Sequence, residues 1–242
     1  MSRTITKFSE LGLKKRKSAN EVLNLKPKER TAAHIEVVFV VDTTISMESF
    51  ITEAKMEIVK ILTRLERDVR IGVCLIEYRD HPPQDNSYAT KTHDFMTKQN
   101  FEALLGRVTV NGGGDFAEAV LDGLAAINRL SWTAELRLVF LVGDAPAHGI
   151  YSTGSDTWPQ GCPCGLTLES IGMIVRTAKV EFHAIALHEA CEQCFRAIAD
   201  ACGGTSTTFA NAQLAINAHI VPLLEEMAKR FLLQQGKSSP TN

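Results

Sequence analysis

A chain of 242 residues can bury a full core as one large domain or two small ones. Hydrophobic residues make up 45% and charged residues 22%, an ordinary globular composition, and a formal net charge of −2 gives no global case for nucleic-acid or membrane binding. No apolar run reaches membrane-spanning length, and Met1–Lys7 lacks the apolar centre of a signal peptide. The six cysteines then read as reduced thiols or metal ligands in an intracellular protein, cytoplasmic or nuclear, not as a disulfide framework.

Residues 1–33 form a basic leader around Lys14-Lys15-Arg16-Lys17, with scattered leucines and no strong amphipathic period. It is expected to be flexible and solvated, or to make a second protein contact. Ile35–Val41 is a short β-branched run, predicted to be a strand buried on both faces of a parallel sheet. Asp42 ends it, followed by Thr44 and Ser46 at alternate positions. Ile51, Ala54, Ile58 and Leu62 then recur at helical spacing over 46–67. Arg70–Tyr78 is a second buried strand, stopped by Pro82-Pro83, and Thr92–Met96 reads as a short edge strand. A helix is expected through Phe101, Leu104, Leu105 and Val108. The glycines of Asn111-Gly112-Gly113-Gly114-Asp115 precede a helical pattern through Ala119, Val120, Leu124 and Ile127. Neither a phosphate-loop nor a dinucleotide signature fits them.

Leu136–Val142 is another buried strand, ending in Gly143-Asp144, and 147–165 reads as a long irregular loop. Val180–Leu187 and Thr205–Phe209 complete the strands, Glu189–Cys202 looks helical, and 214–233 closes the folded part as a helix. Residues 235–242 read as a frayed, disordered tail. Strands alternating with helices imply an α/β fold with a doubly wound, mostly parallel sheet and helices on both faces.

In such a sheet the strand carboxyl ends share one edge, where open α/β folds bind ligands. Asp42, Thr44, Ser46, Asp115 and Asp144 would converge there from three loops. Thr44 or Ser46 capping the following helix would explain one loop but not three. Carboxylates and hydroxyls without His or Cys form a hard-oxygen set suited to Mg²⁺, with Mn²⁺ or Ca²⁺ as alternatives.

These residues resemble those of a von Willebrand factor type A domain, a likeness spanning residues 34–234. Asp42-x-Thr44-x-Ser46 is similar to the Asp-x-Ser/Thr-x-Ser element of that family's metal-ion-dependent adhesion site, and Asp144 to its later aspartate. The second-loop threonine of adhesion receptors is replaced near Gly114-Asp115. Intracellular members, among them the domain paired with alpha-type protein kinases, resemble this chain in Gly-Gly-Gly-Asp, Tyr78-Arg79-Asp80-His81 and Asp144-Ala145-Pro146-x-His148-Gly149. The resemblance implies one antiparallel edge strand and a Mg²⁺ held by Thr44 and Ser46, with Asp42 and Asp144 direct or through water. It also implies a non-enzymatic adaptor whose protein partner supplies an Asp or Glu to the metal.

An enzymatic alternative is a metal-dependent, phosphatase-like protein with Asp42 as nucleophile. Such enzymes want an aspartate where Thr44 stands, and a lysine near Asp144 that the sequence lacks. Cys162, Cys164, Cys191 and Cys194 have the spacing to hold zinc. The apolar face of 189–202, however, favours core packing for its cysteines. His148 is expected to order its loop rather than act as a base.

Overall fold

The computed structural model describes residues 34–152 and 154–237. Six strands form one sheet in the order β3-β2-β1-β4-β5-β6. They are β1 (His34–Asp42), β2 (Arg70–Tyr78), β3 (Thr90–Met96), β4 (Leu136–Gly143), β5 (Glu181–Ala186) and β6 (Thr205–Thr208). Every pairing is parallel except β2 with β3, so the antiparallel strand lies at an edge.

Strand β1 is buried over eight of its nine residues, which its apolar run foretells. Alternate side chains serve two cores. Val37, Phe39 and Val41 join α1 (Glu48–Leu65), α2 (Lys98–Leu105) and the C-terminal helix on one face. Val38 and Val40 join α3 (Val120–Ala125), α4 (Leu168–Ala178) and α5 (Glu192–Cys202) on the other. Phe39 stacks between Phe101 and Phe140, with ring centroids 6.0 and 5.5 Å away. Removing such a buried ring costs about 3–5 kcal/mol.

The helix 168–178 is absent from the sequence-based expectations. Thr167 caps it by accepting from the Ser170 amide, and Ser170 returns the bond to the cap. The C-terminal helix is longer than expected. It runs from α6 (Ala212–Ala215) through a wide turn at Ile216–Ile220 into α7 (Val221–Lys237). Residues 235–237, placed in the tail by the sequence reading, continue this helix. The expected leader 1–33 and the rest of the tail, 238–242, lie outside the described residues.

From β1 the chain crosses through α1 to β2 on one side, and later enters β4 on the other side through α3. The winding direction reverses between β1 and β4, where their carboxyl ends leave a crevice. Asp42 ends β1, and Asp144 follows the last residue of β4. Gly143 permits this approach: a Cβ there would lie 2.2 Å from the Tyr78 hydroxyl and 3.4 Å from Asp42 Cβ.

Candidate metal centre

The first loop is fixed by local hydrogen bonds that its short polar side chains favour. Asp42 is fully buried, and its Oδ1 accepts from the Thr44 amide at 2.8 Å and the Thr44 hydroxyl at 2.7 Å. Thr44 Oγ1 lies 3.2 Å from Ser46 Oγ, which donates to Asp144 Oδ1 at 3.0 Å. Four of the sequence-derived residues thus form one continuous string across the crevice. Thr44 precedes the short helical turn Ile45–Met47, yet its side chain makes no capping bond there. The hydroxyls face the crevice instead.

The second loop closes one wall. Asn111 donates to the Thr43 carbonyl, and Arg79 donates to the Thr109 carbonyl from beneath the loop. Gly112 and Gly113 have φ values of +80° and +89°, open to glycine at low cost. A Cβ on Gly113 would sit 3.6 Å from Thr44 Cβ and 3.7 Å from Glu118 Oε1, ordinary contact distances, so it is the positive φ rather than a lack of space that calls for glycine. Asp115 lines the same crevice, but its Oδ2 is occupied by the Thr157 amide and hydroxyl, at 2.6 and 2.5 Å. It shares its carboxylate between the crevice and the 147–165 loop.

Glu118 lines the crevice and is only 3% exposed, a placement that sequence reasoning missed. Its backbone pairs with Ala147, its amide donating to the Pro146 carbonyl at 2.9 Å. The crevice, about 310 Å³, is also lined by Ile45, Phe116 and His188. Ile45 is exposed at its rim.

Among the described residues, Asp42 Oδ2, Asp115 Oδ1 and Glu118 Oε2 are buried without a hydrogen-bond partner. Buried polar atoms seldom remain so. Burial, and then the nearby Asp144, push the Asp42 carboxyl up to about 7. Burial raises Glu118 further, and Asp42, Asp80, Asp115 and Asp144 add to the effect. Asp144 is also raised by burial, although its bond to Ser46 opposes this. Acid oxygens gathered this closely are stabilised by a cation. Hydroxyl and carboxylate donors fit a hard divalent ion such as Mg²⁺, Mn²⁺ or Ca²⁺.

The neighbouring histidine has a different task. His148, 1% exposed, bridges Asp80 Oδ1 at 2.7 Å and Asp156 Oδ1 at 2.9 Å. Burial alone would lower its pKa, but the bonds to the two aspartates outweigh this and raise it. The bridge anchors the 147–165 loop to the segment after β2, the ordering role expected of His148.

The four cysteines considered for zinc do not come together as one group. Cys191 and Cys194 are fully buried in the core against the sheet, where Cys194 Sγ accepts from the Ala147 amide. Cys191 ends the short turn Glu189–Cys191 and Cys194 lies in the first turn of α5, both packed into the core. Cys162 and Cys164 instead meet His81 and Asp122.

Residues 36–155 match the von Willebrand factor A domain family. The alpha-protein kinase vwkA of Dictyostelium discoideum is 30% identical over 176 residues, which is 69% of this chain and 27% of that protein. The chain thus spans about a quarter of that relative's length. Three solved structures share the fold alone. The pilus adhesin SpaC of Lactobacillus rhamnosus GG superimposes with a TM-score of 0.57 at 14% identity, covering 84% of this chain and 31% of the adhesin. The minor pilin PilB of Streptococcus sanguinis gives 0.55 at 13%, over 87% of this chain and 64% of PilB. Proximal thread matrix protein 1 from the mussel byssus gives 0.54 at 17%, over 82% and 46%. With these matches, the six-stranded sheet and the crevice at its switch point, the chain carries a von Willebrand factor A domain and belongs to that family, resembling the domain of alpha-kinase-associated proteins.

Proposed function

We propose that this domain is a non-enzymatic interaction module that binds Mg²⁺ in the crevice between β1 and β4 and recruits a protein partner through it. The observation that carries this reading is the string Asp42–Thr44–Ser46–Asp144, facing buried carboxylate oxygens that lack partners. Thr44 and Ser46 would supply neutral hydroxyls, and Asp42 and Asp144 would bind directly or through water. Glu118 supplies additional negative charge, while Asp115 helps shape the second-loop wall. A divalent ion held largely by neutral groups keeps positive charge for an incoming Asp or Glu from a partner. The exposed Ile45 and the neighbouring Phe116 offer apolar contact beside it.

Six free thiols support an intracellular setting. No described helix is long and apolar enough to cross a membrane. The kinase-named relative supports a recruiting role in a larger protein or assembly, and the basic leader is proposed as a second contact. For a phosphatase-like enzyme Asp42 would be the nucleophile, but it is fully buried and not among the residues lining the crevice, that described lining holds neither Lys nor Arg, and Thr44 occupies the place of a general acid.

Mn²⁺ provides a direct probe, because the bound ion enhances water-proton relaxation. The parent protein should show the enhancement, acetate or a glutamate-containing peptide should reduce it, and Ser46→Ala should abolish it. Absence of enhancement in the folded parent overturns the metal reading. Hydrolysis of an aryl phosphate that depends on Asp42 overturns the non-enzymatic one.

A further inference from the structure

We infer that His81, Asp122, Cys162 and Cys164 form a second metal site, selective for zinc and separate from the oxygen-lined crevice. The four residues come from three segments: the turn after β2, helix α3, and the long loop before α4. One ligand atom from each lies within 4.8 Å of all the others. Asp122 Oδ2 is 3.0 Å from His81 Nε2 and 3.1 Å from Cys162 Sγ, and that sulfur is 4.0 Å from His81 Nε2. Bonds of about 2.0–2.3 Å to a tetrahedral Zn²⁺ place neighbouring ligand atoms roughly 3.3–3.8 Å apart. The cluster needs only small side-chain adjustments to enclose the ion.

The donor set decides the metal. Two sulfurs and an imidazole suit Zn²⁺ and disfavour Mg²⁺ and Ca²⁺, which take oxygen. The Cys-Pro-Cys turn is also shaped for thiolate ligation. Cys162 Sγ accepts the Cys164 amide at 3.3 Å, a bond that supports negative charge on sulfur. Gly161 and Gly165 bracket the turn with φ values of +118° and +74°. Three of the four side chains are buried or half-buried, and Cys164 is exposed, which leaves a path for the ion.

The position indicates a structural role. The loop bearing both cysteines also donates from Thr157 to Asp115 and accepts from Phe116 at Ser155. Zinc would fasten this loop to α3 and to the end of β2. Ligation deprotonates both thiols and leaves His81 Nε2 free to coordinate, the protons passing to solvent.

The test uses the full chain, purified under reducing conditions, stripped with a chelator and shown to be folded. Titration with Zn²⁺ against a chromophoric chelator should give one ion per chain. Co²⁺ in its place should produce the thiolate charge-transfer band and intense visible bands of a tetrahedral site. Loss of an outer-shell partner typically weakens metal binding about 10–100-fold, so losing a direct ligand in Cys162→Ser, Cys164→Ser or His81→Ala should cost at least about 100-fold. A thiol reagent should find Cys164 protected by Zn²⁺ in the parent. The proposal is overturned if the folded parent binds no Zn²⁺ and gives no tetrahedral Co²⁺ spectrum. It is equally overturned if folded Cys162→Ser and Cys164→Ser variants bind Zn²⁺ like the parent. Should a variant fail to fold, the parent's stoichiometry and Co²⁺ spectrum still decide the matter.

Discussion

Replacing Asp42 by Asn should stabilise the metal-free protein while abolishing its response to Mg²⁺. Asn keeps the carbonyl oxygen that accepts from Thr44, and puts an N–H donor where Asp42 Oδ2 now lacks a partner. Holding this carboxyl at about 7 instead of its ordinary 3.8 corresponds to about 4 kcal/mol against the ionised form, at 1.36 kcal/mol per pH unit. Proton uptake by Glu118 and its neighbours relieves part of that, leaving about 2–4 kcal/mol at pH 8. For a domain of this size the gain is a rise in melting temperature of about 5–15 °C. At pH 5 Asp42 is protonated in the fold but still ionised in the unfolded chain, so the gain should fall to about 1–2 kcal/mol, and it should vanish only below about pH 4. Thermal unfolding in EDTA and in millimolar MgCl₂, at both pH values, reads all of these effects. An Asp42→Asn protein less stable than the parent in EDTA at pH 8, or still stabilised by Mg²⁺, would refute the reasoning. Ordinary damage to the fold would lower stability under every condition, so the opposite signs separate the two explanations.

The same electrostatics set a pH dependence. Asp42, Glu118 and Asp144 all titrate above their ordinary range in the fold, so their contribution to metal-free stability is fully present below about pH 4 and is lost as pH rises, through about 7 for Asp42 and towards about 11 for Glu118. The increment in melting temperature given by Mg²⁺ should therefore grow from pH 5 to pH 8; an increment that shrinks over this range would contradict the cluster. Gly143→Ala should cost about 1–3 kcal/mol by urea unfolding, because its Cβ would meet the Tyr78 hydroxyl and Phe195. Adding Tyr78→Phe should recover part of the loss, and a double variant no better than Gly143→Ala would count against this packing argument. His148→Ala leaves two buried aspartates without their bridge and should cost about 3 kcal/mol, with faster proteolysis inside 147–165. Unchanged cleavage there would show that the bridge does not hold the loop.

The central strands were legible because parallel strands buried on both faces need continuous apolar runs. Ile35–Val41, Arg70–Tyr78 and Leu136–Val142 fall within a residue or two of the observed limits. Four crevice residues were legible as well, since carboxylates and hydroxyls directly after such strands must share one edge. Helix α4 was harder to see. It carries Gly172 in its interior because a Cβ there would lie 2.4 Å from the Ala201 carbonyl of α5, so tertiary packing weakens the local helical signal. Glu118 looks like an ordinary acid near a helix start. Its burial arises from pairing with Ala147, a contact between distant segments. The cysteine partners were hidden for a similar reason: spacing suggests Cys191 and Cys194, but both are buried in the core, and the long loop folds back to His81 and Asp122. Local patterns revealed elements, while long-range loop contacts decided which side chains share a site.

Titration calorimetry of the folded protein with MgCl₂ and MnCl₂, beside Asp42→Asn and Ser46→Ala, tests the metal-binding claim most directly. The account predicts saturable binding of one ion in the parent and none in either folded variant. Equal binding by the parent and both variants, or no binding by the parent even with acetate present to complete the site, would contradict it.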